Sequence, residues 1–197
     1  MELAQRPRFV SRGGEKLDAA LEAFGIEAEG LTCLDVGAST GGFTDCLLLH
    51  GAARVYALDV GHGQLAEALR ADPRVVSMER THASRLDPDS PDRLTLPEPV
   101  ALAVVDVSFI SLTRVLRGVA STLMDAGAIV ALVKPQFEVE AAKAPGGVVR
   151  EPAVRESAVD RVAEHARSIG LNVLGRMESP LRGPAGNQEF LLHMVLG

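Results

Sequence analysis

Apolar positions recur in two rhythms along this chain. Residues 15–24 place Leu17, Ala20, Leu21 and Phe24 at helical spacing, and Gly25 ends the run. Short apolar stretches then read as strands: 31–36, 54–59, 75–78, 100–106 and 128–133. Between them, residues 43–50, 64–70 and 112–124 read as helices. Residues 152–169 form a long amphipathic pattern stopped by Gly170. Two further strands, 171–177 and 189–196, are separated by the turn-rich SPLRGPAGN. Residues 87–99 hold four prolines and four acids and read as a loop; 137–149, polar and containing Pro145-Gly146-Gly147, reads as a mobile one.

Strands that alternate with helices predict a parallel sheet covered on both faces. The last two strands have no helix between them, so they are expected to pair antiparallel. Seven strands, mostly parallel with the last antiparallel, make the Rossmann-like α/β architecture of class I methyltransferases. One domain over 1–197 is expected, with residues 1–10 as a tail or linker remnant.

At 47% apolar, the 197-residue chain is long enough to bury a core. No apolar run is long enough to span a bilayer, and the N-terminus lacks the apolar region of a secretory signal. Cys33 and Cys46 show no metal-ligand spacing and are expected as buried thiols. The histidines form no cluster, so no metal is expected; cytoplasmic location follows from the same reading. The net charge of −6 argues against a general nucleic-acid binder. It is uneven, however: residues 6–16 hold Arg6, Arg8, Arg12 and Lys16 against Glu15 alone.

The chemistry begins at LDVGASTGGFTD, where a strand runs through a Gly-rich turn into a helix. That arrangement is a nucleotide-type binding corner. The turn, Gly37-Ala38-Ser39-Thr40-Gly41-Gly42, lacks the second glycine of a dinucleotide fingerprint, which weakens an NAD reading. Asp35 at its mouth would repel a pyrophosphate and suit a cation such as S-adenosylmethionine, directly or through water. Asp59, ending the next strand, can accept hydrogen bonds from ribose hydroxyls. Both could equally be ordinary strand-end acids.

Ligands of open α/β sheets sit beyond the carboxyl ends of the strands. There the chain places Asp106 after one strand and Lys134 after the next. Glu189 opens the final strand, and Lys16 follows SRGGE. Two lysines and two carboxylates could therefore converge. A ribose hydroxyl needs its proton removed and its oxygen held in line with the methyl donor. A lysine can serve if neutral, and a second lysine with burial favours that state.

The ordered motifs FVSRGGEKL, LDVGASTGGFTDCLL, VYALDVGHGQL, DPRVVSMERT, VVDVSFISL, VKPQFE, GGVVREP and GPAGNQEFL resemble the TlyA branch of the FtsJ-like RNA 2′-O-methyltransferases, often named hemolysins. The resemblance covers residues 9–195. It implies a catalytic tetrad of Lys16, Asp106, Lys134 and Glu189. It also implies S-adenosylmethionine held by Asp35, Gly37, Ser39, Gly41, Gly42 and Asp59, with Glu79, Arg80 and Thr81 beside the adenine. Arg12, Ser108 and Arg150 are the candidate substrate-binding residues. The implied reaction is 2′-O-methylation of cytidine ribose in ribosomal RNA of one or both ribosomal subunits. The family implies an S4-like RNA-binding domain before SRGG; about ten residues precede that motif here, so the chain is expected to lack it. Other readings are a small-molecule O-methyltransferase, a membrane-active hemolysin and an inactive binding module. No membrane partner is expected, and homo-oligomerisation stays open.

Overall fold

The computed structural model describes residues 7–197; Met1 to Arg6 lie outside the described residues. Helix α1 (Gly13–Phe24) comes first and closes on Gly25 in the left-handed region. The strands are β1 (Thr32–Val36), β2 (Arg54–Leu58), β3 (Val75–Met78), β4 (Val100–Val105), β5 (Leu123–Val133), β6 (Leu171–Glu178) and β7 (Phe190–Leu196). The remaining helices are α2 (Gly42–Leu49), α3 (Glu67–Arg70), α4 (Leu116–Ala120), α5 (Pro135–Glu138) and α6 (Pro152–Ser168).

The sheet order is β3-β2-β1-β4-β5-β7-β6. Only β7 runs antiparallel, inserted between β5 and β6. This is the expected seven-stranded, mostly parallel sheet. Strand β1 pairs with both β2 and β4, so the chain switches direction there. A cleft opens beyond the carboxyl ends at such a point.

The pleat divides the core. Leu34, Val36, Tyr56, Leu58, Ala103, Val105, Ile129 and Val133 face one side, packed with Leu116, Val119, Val159 and Val162 of α4 and α6. Cys33, Val55, Ala57, Leu102, Val104, Val130 and Leu132 face the other, against Leu17, Leu21, Phe43 and Leu47 of α1 and α2. Successive side chains point to opposite faces, so both faces need apolar cover. Both cysteines are free and buried. Phe9, within the expected tail, is buried at 4% exposure and packs against Gly14.

Three boundaries differ from the sequence expectation. The helix expected over 112–124 is a 3-10 turn (Leu112–Arg114) followed by α4, and β5 already begins at Leu123. Leu123 lies four residues after Val119, so helical spacing masked the break. Strand β5 pairs with β4 through a register shift between Val100 and Leu102, with Ala126 at φ 58°. The helix expected over 64–70 shrinks to α3, because Gln64 to Ala66 pack on the Gly-rich turn through Ala66 N–H to Thr40 O at 3.0 Å. The segment 137–149 is pinned by Asn187. Its Oδ1 accepts from Val149 N at 2.9 Å, and its Nδ2 donates to Gly147 O at 2.8 Å. Among the described residues, no helix is long and apolar enough to cross a membrane.

Candidate active site

The Gly-rich turn is held by the sheet itself. Gly37 N and Ala38 N both donate to Leu58 O, at 2.8 and 3.1 Å. Gly37 sits at φ 88°, and a Cβ there would lie 2.4 Å from Asp106 O. The residue is glycine because β1 and β4 close on one another where they end. Gly42 has a similar reason: a Cβ would meet Ser11 Oγ at 2.2 Å and Gly14 N at 2.9 Å. That close packing seats the start of α1 on the start of α2, and so places Lys16 at the cleft. Gly41 packs under Leu65 and Leu69. Each of these glycines leaves room for a neighbouring protein segment, and Gly37 and Gly42 also line the cleft.

Two adjoining cavities share Gly37, Ser39, Asp106 and Ser108. The first, about 730 Å³, lies beyond β1, β2 and β4. Asp59 and Gln64 line it with apolar Leu58, Val60, Ala83, Val107 and Ile110. Asp59 accepts from Ser39 N at 2.8 Å and from Gly61 N at 2.7 Å, which fixes its carboxylate. Each oxygen keeps acceptor capacity for a further donor.

Asp35 does not reach this wall. It follows Leu34 in β1, so the pleat turns it to the α2 face, where it is fully buried. Its Oδ2 accepts from Thr44 Oγ1 at 2.7 Å, and its Oδ1 has no partner. Burial pushes its pKa up to about 7; the Thr44 hydrogen bond opposes this, and Asp106 and Asp59 add to the rise. Asp35 is expected from the sequence to meet a cationic ligand directly or through water; the structure places it beneath the turn, off the cavity wall.

Glu79, Arg80 and Thr81 also stand off the cavity wall. Glu79 accepts from His62 Nδ1 at 2.6 Å and Gly63 N at 2.9 Å, and these donors hold its pKa below the usual range, the Gly63 N–H most of all. Arg80 turns through φ 54°, and Thr81 N donates to Asp59 O at 2.9 Å. The three shape the loop behind Asp59. The lining positions fall slightly later, at His82 and Ala83.

The second cavity, about 560 Å³, gathers the remaining candidates. Lys16 Nζ lies 2.5 Å from Glu189 Oε2, both buried. Lys134 Nζ donates to Ser108 Oγ at 2.7 Å. It also lies 2.6 Å from Asp106 Oδ1, off the hydrogen-bonding direction. Topology explains the convergence. Val133 of β5 pairs with Phe190 of β7 in antiparallel register, so the next residue, Lys134, and the preceding one, Glu189, leave the same edge. Arg12 lines this cavity; Arg150 does not.

The lining residues that sequence reasoning missed include Arg182, Pro184 and Phe109. Arg182 and Pro184 come from the connection before β7 and enter only because β7 folds back. Phe109 stands 91% exposed at φ 64°, with its ring centroid 5.1 Å from that of Phe137. A non-glycine residue in that conformation was the one signal, and it is invisible without a backbone. Away from the cleft, Asp18, Cys46 and His50 approach within 4.8 Å of one another. Asp18 there accepts from Arg8 at 2.5 Å and contacts His50 at 2.7 Å, so its charge is already matched. Burial pushes the Cys46 thiol well up, which keeps its proton on.

Comparison with known proteins follows the same lines. The family model described as FtsJ-like methyltransferase matches residues 9–196. The 16S/23S rRNA (cytidine-2′-O)-methyltransferase TlyA of Mycobacterium tuberculosis is 51% identical over 185 residues, which cover 93% of this chain and 67% of that protein. Hemolysin A of Brachyspira hyodysenteriae is 43% identical over 197 residues, 100% of this chain and 80% of that one. A crystal structure named for a hemolysin from Lactococcus lactis superposes with a TM-score of 0.91 at 42% identity, covering 98% of this chain and 90% of that one. The chain belongs to the FtsJ-like methyltransferase family.

Proposed function

From that membership we propose that the protein is an S-adenosylmethionine-dependent 2′-O-methyltransferase acting on cytidine ribose in ribosomal RNA. The observation that carries this reading is the pairing of Lys16 with Glu189 and of Lys134 with Asp106 across one cavity, at 2.5 and 2.6 Å. The named activity of the mycobacterial relative supports the choice of substrate.

The 730 Å³ cavity suits an adenosyl group. Its apolar walls can flank a purine, and the fixed Asp59 carboxylate can accept from two ribose hydroxyls. When bound, the cofactor supplies an electrophilic methyl on a sulfonium. Asp106 and Ser108, shared by both cavities, stand where the two ligands meet. Lys134 is the proposed base. In its neutral form the amine offers a lone pair to the ribose hydroxyl, while Asp106 and Ser108 hold it in place. Lys16, held by Glu189, is proposed to orient that hydroxyl. The exposed Phe109 ring, backed by Phe137, offers a face for a splayed base.

The test incubates the protein with labelled S-adenosylmethionine and separated ribosomal subunits, then maps the label. Label on a cytidine 2′-oxygen is expected. Label on a base, or on small molecules alone, would overturn the reading.

A further inference from the structure

We propose that Arg12 and Arg182 together hold the phosphodiester next to the target ribose; the inference rests on the RNA reading above. Both residues line the 560 Å³ cavity. Its charged lining is Arg12, Lys16, Lys134 and Arg182 against Asp106 and Glu189, four cations to two anions, on a chain whose net charge is −6. Lys16 and Lys134 are already matched by Glu189 and Asp106. The surplus therefore rests on the two arginines.

Neither arginine has a carboxylate partner among the described residues, whereas Arg54 and Arg74 each hold one and Arg117 and Arg176 each hold two. Arg12 Nη2 donates to Arg182 O at 3.4 Å, and Arg182 Nη1 donates to Gly186 O at 3.3 Å. These single bonds aim the guanidinium groups and leave most of their N–H donors free. The Arg12 side chain makes no capping bond to α1. The connection carrying Arg182 also presses on the catalytic pair: a Cβ on Gly183 would lie 2.5 Å from Glu189 Oε1.

The chemistry of the substrate selects this rim. The 2′-oxygen of ribose is vicinal to the 3′-oxygen, which in RNA carries the phosphodiester. A hydroxyl delivered to Lys134 brings that phosphate into the same cavity. A planar guanidinium fork matches its two free oxygens. The pair thereby favours a polynucleotide over a free nucleoside, which carries no phosphate.

The test measures methyl transfer to separated ribosomal subunits at several KCl concentrations, for wild type, Arg12→Ala, Arg182→Ala, Arg182→Lys and the double alanine variant. Arg93→Ala and Arg167→Ala, exposed and outside both cavities, are the controls. Each rim alanine should raise KM for subunits, with kcat within about twofold. Each should also flatten the slope of log(kcat/KM) against log[KCl] by about 0.7–0.9, the change for one lost phosphate contact. The double variant should lose about twice that, Arg182→Lys should keep the slope, and KM for S-adenosylmethionine should not move. An unchanged KM and slope in the double variant would refute the clamp, as would equal flattening in the controls. Wild-type protein that methylates neither subunit would instead sink the assigned function, and the clamp with it.

Discussion

On the Asp59 side of the cleft, the wall comes from the ends of β1, β2 and β4, the loops that follow them, and His82 and Ala83 after β3. On the Lys16 side the Gly-rich turn, residues 37–43, is joined by residues 11–16, 106–108, 134 and 182–189, the last of these brought in by the antiparallel return of β7. The two sides also differ in charge. Asp59 and Asp106 face Arg114 on the first, whereas four cations face two anions on the second. One side suits a cationic cofactor, the other a polyanion. The comparison teaches that an acidic protein can address RNA by concentrating its cations in one half of a cleft.

The largest expected break in this division is Lys134→Ala. It should cut methyl transfer by about 100-fold or more, the usual worth of a positioned base. Arg at that position should fail too, because it stays protonated. Single-turnover transfer to ribosomal subunits is the measurement, and an Arg variant with near-normal turnover would reduce Lys134 to a positive charge.

Gly37 joins the two halves, so Gly37→Ala should damage both. The new Cβ would lie 2.4 Å from Asp106 O, at a φ of 88°. A cost of at least about 1–3 kcal/mol follows from the backbone strain alone. Denaturant unfolding reads it, and a variant as stable as wild type would show that β1 and β4 are free to separate.

A pH-dependent effect sharpens the picture beneath the turn. Asp35 has a pKa of about 7 when folded, against an ordinary 3.8. The folded state then keeps a proton that the unfolded state releases between those values. Stability therefore falls as pH rises through that window and levels above it. Asp35→Asn should remove the decline. Unfolding midpoints across pH 4–8 check this, and a variant profile parallel to wild type would mean that Asp35 is ionised in place.

The two sides were not equally legible in the sequence. The Asp59 side follows from contiguous strand-turn-helix segments, so its turn and strand-end acid could be located from local pattern. Its errors are errors of facing. Asp35 was placed by proximity, but the pleat turns it away, and Glu79 to Thr81 brace the loop from behind. On the other side, Lys16, Asp106, Lys134 and Glu189 could be placed at one edge because each adjoins a predictable element; their proposed roles come from the family resemblance. Arg182 could not, since nothing local says that SPLRGPAGN folds over Lys16. Its position depends on the register of β7, and a one-residue slip in a strand reverses every side chain.

The division of labour is tested most directly by titrating S-adenosylhomocysteine into Asp59→Ala and Lys134→Ala by calorimetry. The account predicts that Asp59→Ala weakens binding by roughly 1–3 kcal/mol, about 5- to 150-fold, while Lys134→Ala binds as wild type. Equal losses in both variants, or a loss confined to Lys134→Ala, would contradict it.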